Sequence, residues 1–244
     1  MILSVVVPAF NEAKTLKENI NNFNLYLSQQ PYDYEIIIVD DGSTDDTKNQ
    51  ALELSSSSSK IKLIENKKNL GKGAAIKKGM LFARGDFCLF IDADGASSID
   101  HLTLAWPLIQ ANGEIIIGTR NKKDIDGARQ TIPQALWKRL LGTIGNYIIR
   151  NVAVKNIWDT QCGFKILSKK AVNDIVAKTR INRWAFDVEV LAIAQKLNFK
   201  IEQIPIRWEN RPYSRVGIKG YLHTFYEVGK IKLNLLTNKY NLTK

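Results

Sequence analysis

Two aspartates, Asp92 and Asp94, stand one residue apart at the end of an apolar run, in the stretch LFIDADGAS (residues 89–97). Like charges this close repel each other unless a positive charge is held between them. Hard divalent cations accept carboxylate and phosphate oxygens together. The pair therefore predicts a metal site that also holds a nucleotide diphosphate, although an acidic turn beside a glycine produces the same pattern without a metal.

A second acidic stretch, VDDGSTDDT (residues 39–47), begins where another apolar run ends. Gly42 permits a sharp turn, and Ser43 or Thr44 can cap the next helix. A turn and a cap explain most of this stretch but do not require Asp40 at the last strand position. A carboxylate there is placed to accept hydrogen bonds from a nucleoside, so Asp40 is predicted to bind one.

Lys72 lies between Gly71 and Gly73 in NLGKGAAIKKG (residues 69–79), just before a helical pattern. Backbone N–H groups and the helix dipole favour an anion at such a position. The spacing fits neither a P-loop nor a dinucleotide fingerprint. The stretch indicates a nucleotide contact, with an ordinary glycine-bearing helix entrance as the alternative.

The strands and helices around these residues are predicted from the spacing of apolar residues. The first 118 residues alternate short β-branched runs with helical patterns, which predicts an α/β fold with a mainly parallel sheet and helices on both faces. The predicted strands are residues 2–8, 35–40, 61–65, 86–93 and 114–119. Ligands bind at the carboxyl ends of such strands. Those ends carry PAFNE, DDGSTDD, DADGAS and GTRNK, so nearly all the conspicuous polar chemistry falls on one rim.

The pattern changes after residue 118. Helices are predicted over residues 133–154 and 183–198, a strand over 200–208, and a basic, aromatic-bearing helix from about Gly220. We expect a catalytic domain at residues 1–218 and a C-terminal basic amphipathic helix at 219–244. The serine run Ser55–Ser59 is expected to be a solvated loop.

The amino-acid composition limits the kinds of partner and compartment that are expected. A net charge of +11 suggests anionic partners: nucleic acid, phosphorylated metabolites or an acidic membrane surface. Cys88 and Cys162 form neither a disulfide framework nor a zinc spacing, so a reducing compartment is the simpler interpretation. No stretch reaches the length of a membrane span, and the start shows no leader, so any membrane contact is expected to be peripheral.

Eight stretches together carry a family resemblance. They are SVVVPAFNE, VDDGSTD, NLGKGAA, DADGAS, GTRNK, DTQCGFK, RWAFDVEVLAIA and IPIRWEN, in this order. The chain resembles the inverting family 2 glycosyltransferases with a GT-A fold over about residues 3 to 216. Within that family it is most similar to the dolichyl-phosphate β-glucosyltransferases and their polyprenyl-phosphate sugar-synthase relatives.

The resemblance implies a transfer of glucose from UDP-glucose to a dolichyl or polyprenyl phosphate, with inversion and with Mg²⁺ or Mn²⁺. It places Asp40 at the nucleoside, Asp92 near the ribose and diphosphate, and Asp94 on the metal, with Asp92 as a second metal ligand. The implied nucleotide-sugar site is completed by Pro8, Glu12, Asp41 and Lys72.

Other residues are predicted to serve the acceptor. Arg120 follows a strand end on the active rim and is the first candidate to bind the acceptor phosphate and assist catalysis. Arg211 and Arg215 are further candidates. The resemblance implies that Gln161 and Gly163 lie in the floor of the acceptor site, where a simple turn is the alternative, and that Asp187 faces the catalytic cleft. His101 and His223 lie outside every motif and are expected to be structural or surface residues.

Alternatives remain at this point. The donor could be another nucleotide sugar such as GDP-mannose, or the acceptor a soluble glycan hydroxyl, which would need Asp187 or Glu189 as a base. A nucleic-acid-binding function would give the carboxylates on the rim no role, so no nucleic-acid partner is expected. A lipid acceptor implies a cytoplasmic protein peripherally bound to the cytosolic face of a membrane through basic amphipathic helices. A separate membrane-anchoring partner stays open.

Overall fold

The computed structural model describes residues 1–130, 136–208 and 218–242. Its strands are β1 (Ile2–Ala9), β2 (Asp33–Asp40), β3 (Ile61–Glu65), β4 (Phe87–Ile91), β5 (Ile115–Thr119), β6 (Arg129–Gln130), β7 (Phe164–Ser168), β8 (Ile201–Pro205) and β9 (Arg207–Trp208). Its helices are α1 (Leu16–Ser28), α2 (Thr47–Ser57), α3 (Lys72–Phe82), α4 (Leu102–Gln110), α5 (Leu136–Val152), α6 (Lys169–Asp174), α7 (Phe186–Lys196) and α8 (Ile218–Leu236). Short 3₁₀ turns cover Ile99–His101 and Val176–Lys178.

Seven strands form one sheet in the order β3-β2-β1-β4-β7-β5-β8. Strands β1 to β4 are parallel to one another, and β5 is parallel to β8. Strand β7 runs antiparallel between β4 and β5. The short strands β6 and β9 pair separately in parallel. The mainly parallel sheet predicted from the sequence is confirmed, with one reversed strand inside it.

Both faces of the sheet are covered, as the nearly continuous apolar strands require. Alternate residues of each strand point to opposite faces. One face packs against α3, α5, α6, α7 and α8, with side chains such as Val6 and Ile37 in its core. The other packs against α1, α2 and α4, with Val5 and Ile36 in its core. The helices on both faces are therefore confirmed.

One strand of the seven-stranded sheet was not predicted, and one local expectation was wrong. The stretch after Gly163 forms β7, in which Phe164 to Leu167 are all buried between β4 and β5. Residues Ser55 to Ser57 close the last turn of α2 instead of forming a loop. Their hydroxyls donate to the carbonyls of Leu52 and Leu54, the local bonding by which serine is accommodated at a helix end.

The predicted C-terminal helix is present as α8, which packs against α5 and α7. Its buried face includes Val228 and Ile231, whereas Leu222 and Tyr226 are exposed. The division of the chain at residue 218 stays a prediction, as does the membrane role of this helix. Within the described part of the chain, every helix is too short or too polar to cross a bilayer.

Candidate active site

A cavity of about 380 Å³ opens where β1, β2 and β4 end at the same edge of the sheet. Six residues assigned to the nucleotide-sugar or metal site from the sequence line it: Pro8, Glu12, Asp41, Lys72, Asp92 and Asp94. The strand order places these residues together, because parallel strands deliver their following loops to one rim. Arg183 and Trp184, which the sequence reasoning did not assign to the donor, also line the cavity.

Lys72 and Asp92 form the central ion pair of this cavity. The Lys72 Nζ lies 2.6 Å from Oδ1 of Asp92, and about one-fifth of the lysine side chain is exposed. Burial alone would lower the pKa of Lys72, but the carboxylates of Asp92, Asp187 and Asp94 outweigh it and raise the pKa above its usual value. Lys72 is therefore a fixed positive charge on the cavity wall.

The position of Asp92 depends on the absence of a side chain at residue 163. A Cβ on Gly163 would lie 1.9 Å from Oδ2 of Asp92, closer than atoms can approach. The backbone N–H of Asp92 also donates to the carbonyl of Gly163 at 3.3 Å. Gly163 thus forms a cradle for the Asp92 carboxylate, a role that the DTQCGFK motif did not reveal.

Asp92 and Asp94 supply hard oxygen donors of the kind that Mg²⁺ and Mn²⁺ prefer. Oδ1 of Asp94 accepts a hydrogen bond from the N–H of Ala96 at 2.9 Å, which orients the carboxylate. Among the described residues, no group of three or more Asp, Glu, His or Cys side chains could hold a metal. Two carboxylates suit a cation that takes its other ligands from water and phosphate oxygens, as Mg²⁺ does.

Asp40 and Asp41 are both buried but have different surroundings. The Asp40 carboxylate is 3.3 Å from the N–H of Ser43 and does not line the cavity, so its binding of a nucleoside stays a prediction. Asp41 does line the cavity. It accepts hydrogen bonds from the Asn66 amide and from the backbone N–H groups of Leu70 and Gly71. Asp41 therefore fixes the loop that leads into Lys72, the first residue of α3.

Glu12 stands in the turn between β1 and α1. Its backbone N–H donates to Oγ1 of Thr47 at 2.7 Å, and its carboxylate accepts a hydrogen bond from Thr15 at 3.4 Å. The preceding Asn11 has a positive φ of 56°, which the short amide side chain tolerates. These contacts join the β1 and β2 loops into one wall of the cavity.

Arg120 is engaged by a buried carboxylate. Its Nε and Nη2 donate to the two oxygens of Asp159 at 2.7 Å each, and its backbone N–H donates at 2.8 Å. Burial alone would raise the pKa of Asp159, but the guanidinium holds it below its usual range. Arg120 does not line the cavity. Its predicted contact with the acceptor phosphate stays a prediction.

Asp187 is likewise paired inside the protein. Its Oδ1 accepts a hydrogen bond from Nζ of Lys165 at 2.7 Å, and the lysine is fully buried. Lys165 also donates to the carbonyl of Cys162 at 2.6 Å. Sequence reasoning missed Lys165 and Asp159, although a lysine within the apolar run of β7 is a signal for a buried partner.

Segment 159–165 connects these features. Asp159 binds Arg120, Gly163 supports Asp92 and Lys165 pairs with Asp187. Gln161, predicted to lie in the acceptor floor, donates from Nε2 to the carbonyl of Trp184 at 3.1 Å. Gln161 therefore holds a cavity-lining residue in place. Arg211 and Arg215, the other predicted acceptor ligands, lie outside the described residues.

The histidines and cysteines have structural surroundings. His101 contacts the carbonyl of Ser98 through Nδ1 and accepts a hydrogen bond from the N–H of Arg207 at Nε2. His223 is half-exposed on α8, 3.6 Å from Glu227. Burial raises the pKa of Cys88 and of Cys162 to about 12, which keeps both thiols neutral. None of these four side chains lines the cavity.

Comparison with known proteins shows the family to which the sequence is similar. Residues 4–176 match the model of glycosyl transferase family 2. A dolichyl-phosphate beta-glucosyltransferase of Trichomonas vaginalis is 33% identical over 249 residues, covering 96% of this chain and 75% of that protein. An enzyme of the same name from Dictyostelium discoideum is 35% identical over 217 residues, covering 84% of this chain. The match takes in 66% of the Dictyostelium protein, just under two thirds.

Solved structures of other proteins share the fold of this chain. The crystal structure of glucosyl-3-phosphoglycerate synthase from Mycobacterium tuberculosis with UDP aligns with a TM-score of 0.69 at 17% identity. The alignment covers 94% of this chain and 79% of the mycobacterial enzyme. A structure of that enzyme with Mn²⁺ and UDP-glucose aligns with a TM-score of 0.65 at 18% identity, covering 93% and 79%.

Proposed function

The chain belongs to glycosyl transferase family 2, and we propose that it transfers glucose from UDP-glucose to a dolichyl or other polyprenyl phosphate, with inversion at the anomeric carbon. Two relatives at 33% and 35% identity carry the name dolichyl-phosphate beta-glucosyltransferase. The observation that carries the proposal is the cavity at the carboxyl ends of β1, β2 and β4, where Lys72, Asp92 and Asp94 meet. A nucleoside diphosphate is anionic, and a cation beside metal-binding carboxylates is suited to hold it.

Asp94, with Asp92 beside it, would hold Mg²⁺ or Mn²⁺. The fold neighbour that contains Mn²⁺ and UDP-glucose supports this assignment, as do the hard oxygen donors that follow β4. A divalent cation bound there would neutralise the negative charge that grows on the departing diphosphate. Lys72 adds a fixed protein charge to the same wall.

The acceptor supplies its own nucleophile. A phosphate monoester has a second pKa of about 6, so its oxygen is largely ionised at neutral pH. That oxygen attacks the anomeric carbon of glucose from the face opposite UDP. The bond to UDP breaks, and its electron pair leaves with the diphosphate. No proton has to be removed, so the chain needs to position the two substrates and to stabilise charge.

The pairing of the buried carboxylates favours a phosphate over a hydroxyl acceptor. A hydroxyl would need a base, for which the sequence offers Asp187 or Glu189. Asp187 is held by Lys165, and Glu189 accepts hydrogen bonds from Tyr240 and from two backbone N–H groups. Neither residue lines the cavity. We therefore assign Asp187 the role of supporting the site through Lys165.

The lipid acceptor places the protein at a membrane surface. Helix α8 exposes Leu222, Tyr226, Leu233 and Leu236, which recur at helical spacing on one side. The exposed lysines Lys230 and Lys232 flank this side, a charge that suits anionic phospholipids. We name these four apolar residues the α8 stripe. We propose that it contacts the cytosolic face of a membrane peripherally, as part of the C-terminal segment 219–244.

Product analysis tests the proposed function. The chain is incubated with a polyprenyl phosphate in detergent, a panel of UDP- and GDP-sugars, and Mg²⁺ or Mn²⁺, and products are identified by mass spectrometry. We expect a lipid-phosphate-linked glucose from UDP-glucose, formed only with metal. Transfer from GDP-mannose would correct the donor. Transfer to free sugars but not to the lipid phosphate would overturn the proposed acceptor.

A further inference from the structure

Arg183 differs from the other cations near the cavity in its surroundings. Its side chain is exposed and lines the cavity. Lys72, Arg120 and Lys165 are each paired with an aspartate. Within residues 1–130, 136–208 and 218–242, no ion pair or side-chain hydrogen bond engages Arg183. An arginine with this freedom at a substrate cavity is available to an anionic ligand.

The backbone around Arg183 is nevertheless held firmly. Glu189 of α7 accepts hydrogen bonds from the N–H groups of Arg180 and Ile181, at 2.9 and 2.8 Å. At the other end of the loop, Glu227 of α8 accepts the N–H of Ala185 at 3.0 Å. A fixed backbone reduces the conformational entropy that the arginine loses when it binds a ligand.

Two further contacts fix the middle of the same loop. The carbonyl of Asn182 accepts the N–H of Ala74 at 3.0 Å. The carbonyl of Trp184 accepts the Gln161 amide at 3.1 Å. These bonds to α3 and to segment 159–165 hold the residues on either side of Arg183. The loop therefore presents the guanidinium from a defined position.

The aliphatic part of the Arg183 side chain passes close to Gly71, which directly precedes Lys72. A Cβ on Gly71 would lie 2.8 Å from Cγ of Arg183 and 2.4 Å from the carbonyl oxygen of Asn182. Glycine at position 71, with its positive φ of 109°, is what permits this approach. The Arg183 side chain thus runs along the cavity wall next to Gly71, the residue that precedes Lys72. A guanidinium binds phosphoryl oxygens through two parallel hydrogen bonds, which an ammonium does not do.

We propose that Arg183 binds a phosphoryl group of a substrate in this cavity. The inference rests on the proposed function, which supplies two such groups. One is the diphosphate of the nucleotide sugar, and the other is the monophosphate of the lipid acceptor. Both present the same chemistry to a guanidinium, and the experiment separates them.

The test compares Arg183→Ala and Arg183→Lys with the matched control Arg180→Ala. Arg180 lies in the same loop with an exposed side chain but does not line the cavity. UDP is titrated in the presence of Mn²⁺ by calorimetry, and KM for polyprenyl phosphate is measured with UDP-glucose saturating. Thermal unfolding checks that all variants fold.

Losing a charge-assisted pair of hydrogen bonds should weaken binding by about 10- to 100-fold in Arg183→Ala. Arg183→Lys should retain part of the affinity, and Arg180→Ala should match the wild type. A weaker UDP affinity identifies the diphosphate as the ligand, whereas a raised KM for the lipid alone identifies the monophosphate. If both values stay at the wild-type level, the inference is wrong. A wild type that binds UDP but does not glucosylate the lipid overturns only the proposed function.

Discussion

At the scale of single residues, the carboxylates near the cavity divide into those that line it and those that are buried behind it. Asp92 and Asp94 line the cavity, whereas Asp159 and Asp187 are buried against Arg120 and Lys165. A paired buried carboxylate contributes to positioning and stability, and a carboxylate on the cavity wall can bind a ligand. Substitutions of the two kinds should therefore have different effects.

Asp94→Asn tests the metal assignment. The change removes the charge of a hard oxygen ligand without changing its volume, so metal-dependent turnover should fall by about 100-fold or more. The melting temperature should stay close to the wild-type value. Glucosyl transfer is measured across a Mn²⁺ titration. Asp174→Asn on α6, away from the cavity, is the matched control. Full activity in Asp94→Asn would contradict the assignment.

Arg120→Ala separates stability from acceptor binding. It leaves the buried Asp159 without its guanidinium partner, which should lower the free energy of unfolding by about 3 kcal/mol at neutral pH. Denaturant unfolding measures this, with Arg84→Ala as the control for an exposed arginine. A variant of wild-type stability with a strongly raised KM for the lipid phosphate would instead support the direct contact predicted from the sequence.

The same pair predicts a pH dependence. Arg120 keeps the pKa of Asp159 below its usual value, so the folded state binds the proton less tightly than the unfolded state. The pair's contribution is therefore complete above the unfolded pKa of about 3.9 and is lost as the pH falls through the lower folded value. Unfolding measured from pH 7 to about 3 should show a shallower acid loss in Arg120→Ala. An unchanged acid profile would count against this coupling.

At the scale of elements, segment 159–165 and strand β7 determine how the site is assembled. β7 runs antiparallel between β4 and β5, so the segment before it reaches the ends of both. One short stretch thereby contacts Asp92, Arg120 and Asp187. The loop that carries Arg183 is fixed by α3, α7, α8 and this segment.

Gly163→Ala tests this arrangement. The new methyl would occupy the place of the Asp92 carboxylate and force it to move. Displacement of a group in an active site by about 1 Å can cost about 100-fold in rate. We expect turnover with UDP-glucose to fall by about that factor while the protein remains folded. Gly142→Ala in α5 is the control, because nothing lies within 4 Å of its Cβ. Wild-type kinetics in Gly163→Ala would refute the cradle.

At the scale of the whole molecule, one face of the sheet carries both the α8 stripe and a contact from α8 to the loop of Arg183. The α8 stripe lies on the face that α3, α5, α6 and α7 also cover, and Tyr147 of α5 is exposed there as well. Glu227 of α8 contacts the loop of Arg183. The surface proposed to meet the membrane is therefore joined to the cavity by one helix.

Vesicle binding tests the α8 stripe. Leu233→Asp places a charge in the stripe and should weaken co-sedimentation with anionic phospholipid vesicles by about 10-fold, since burial of a leucine contributes about 1.5–3 kcal/mol. Leu25→Asp makes the same change at an exposed leucine on α1, which covers the opposite face, and should have no effect. Equal losses in the two variants, or none in Leu233→Asp, would exclude the stripe as the contact.

Sequence patterns were enough to predict the α/β class, the strands β1 to β5 and the rim on which the polar motifs meet. Strand ends and hydrophobic periodicity are local properties, and the geometry of parallel strands then brings Asp41, Lys72 and Asp92 to one edge. The family resemblance was also carried by the motifs alone. For these reasons six of the residues assigned from the sequence do line the cavity.

Which charges pair depends on the three-dimensional fold. Arg120 with Asp159, and Lys165 with Asp187, join residues that are 39 and 22 positions apart. Nothing in the spacing of either pair predicts that the partners meet. The insertion of β7 between β4 and β5 brings them together, and it likewise turns Gly163 into the support of Asp92. Long-range pairing depends on chain topology, so only the structure shows that Lys72, Arg120 and Lys165 are paired with aspartates while Arg183 lines the cavity.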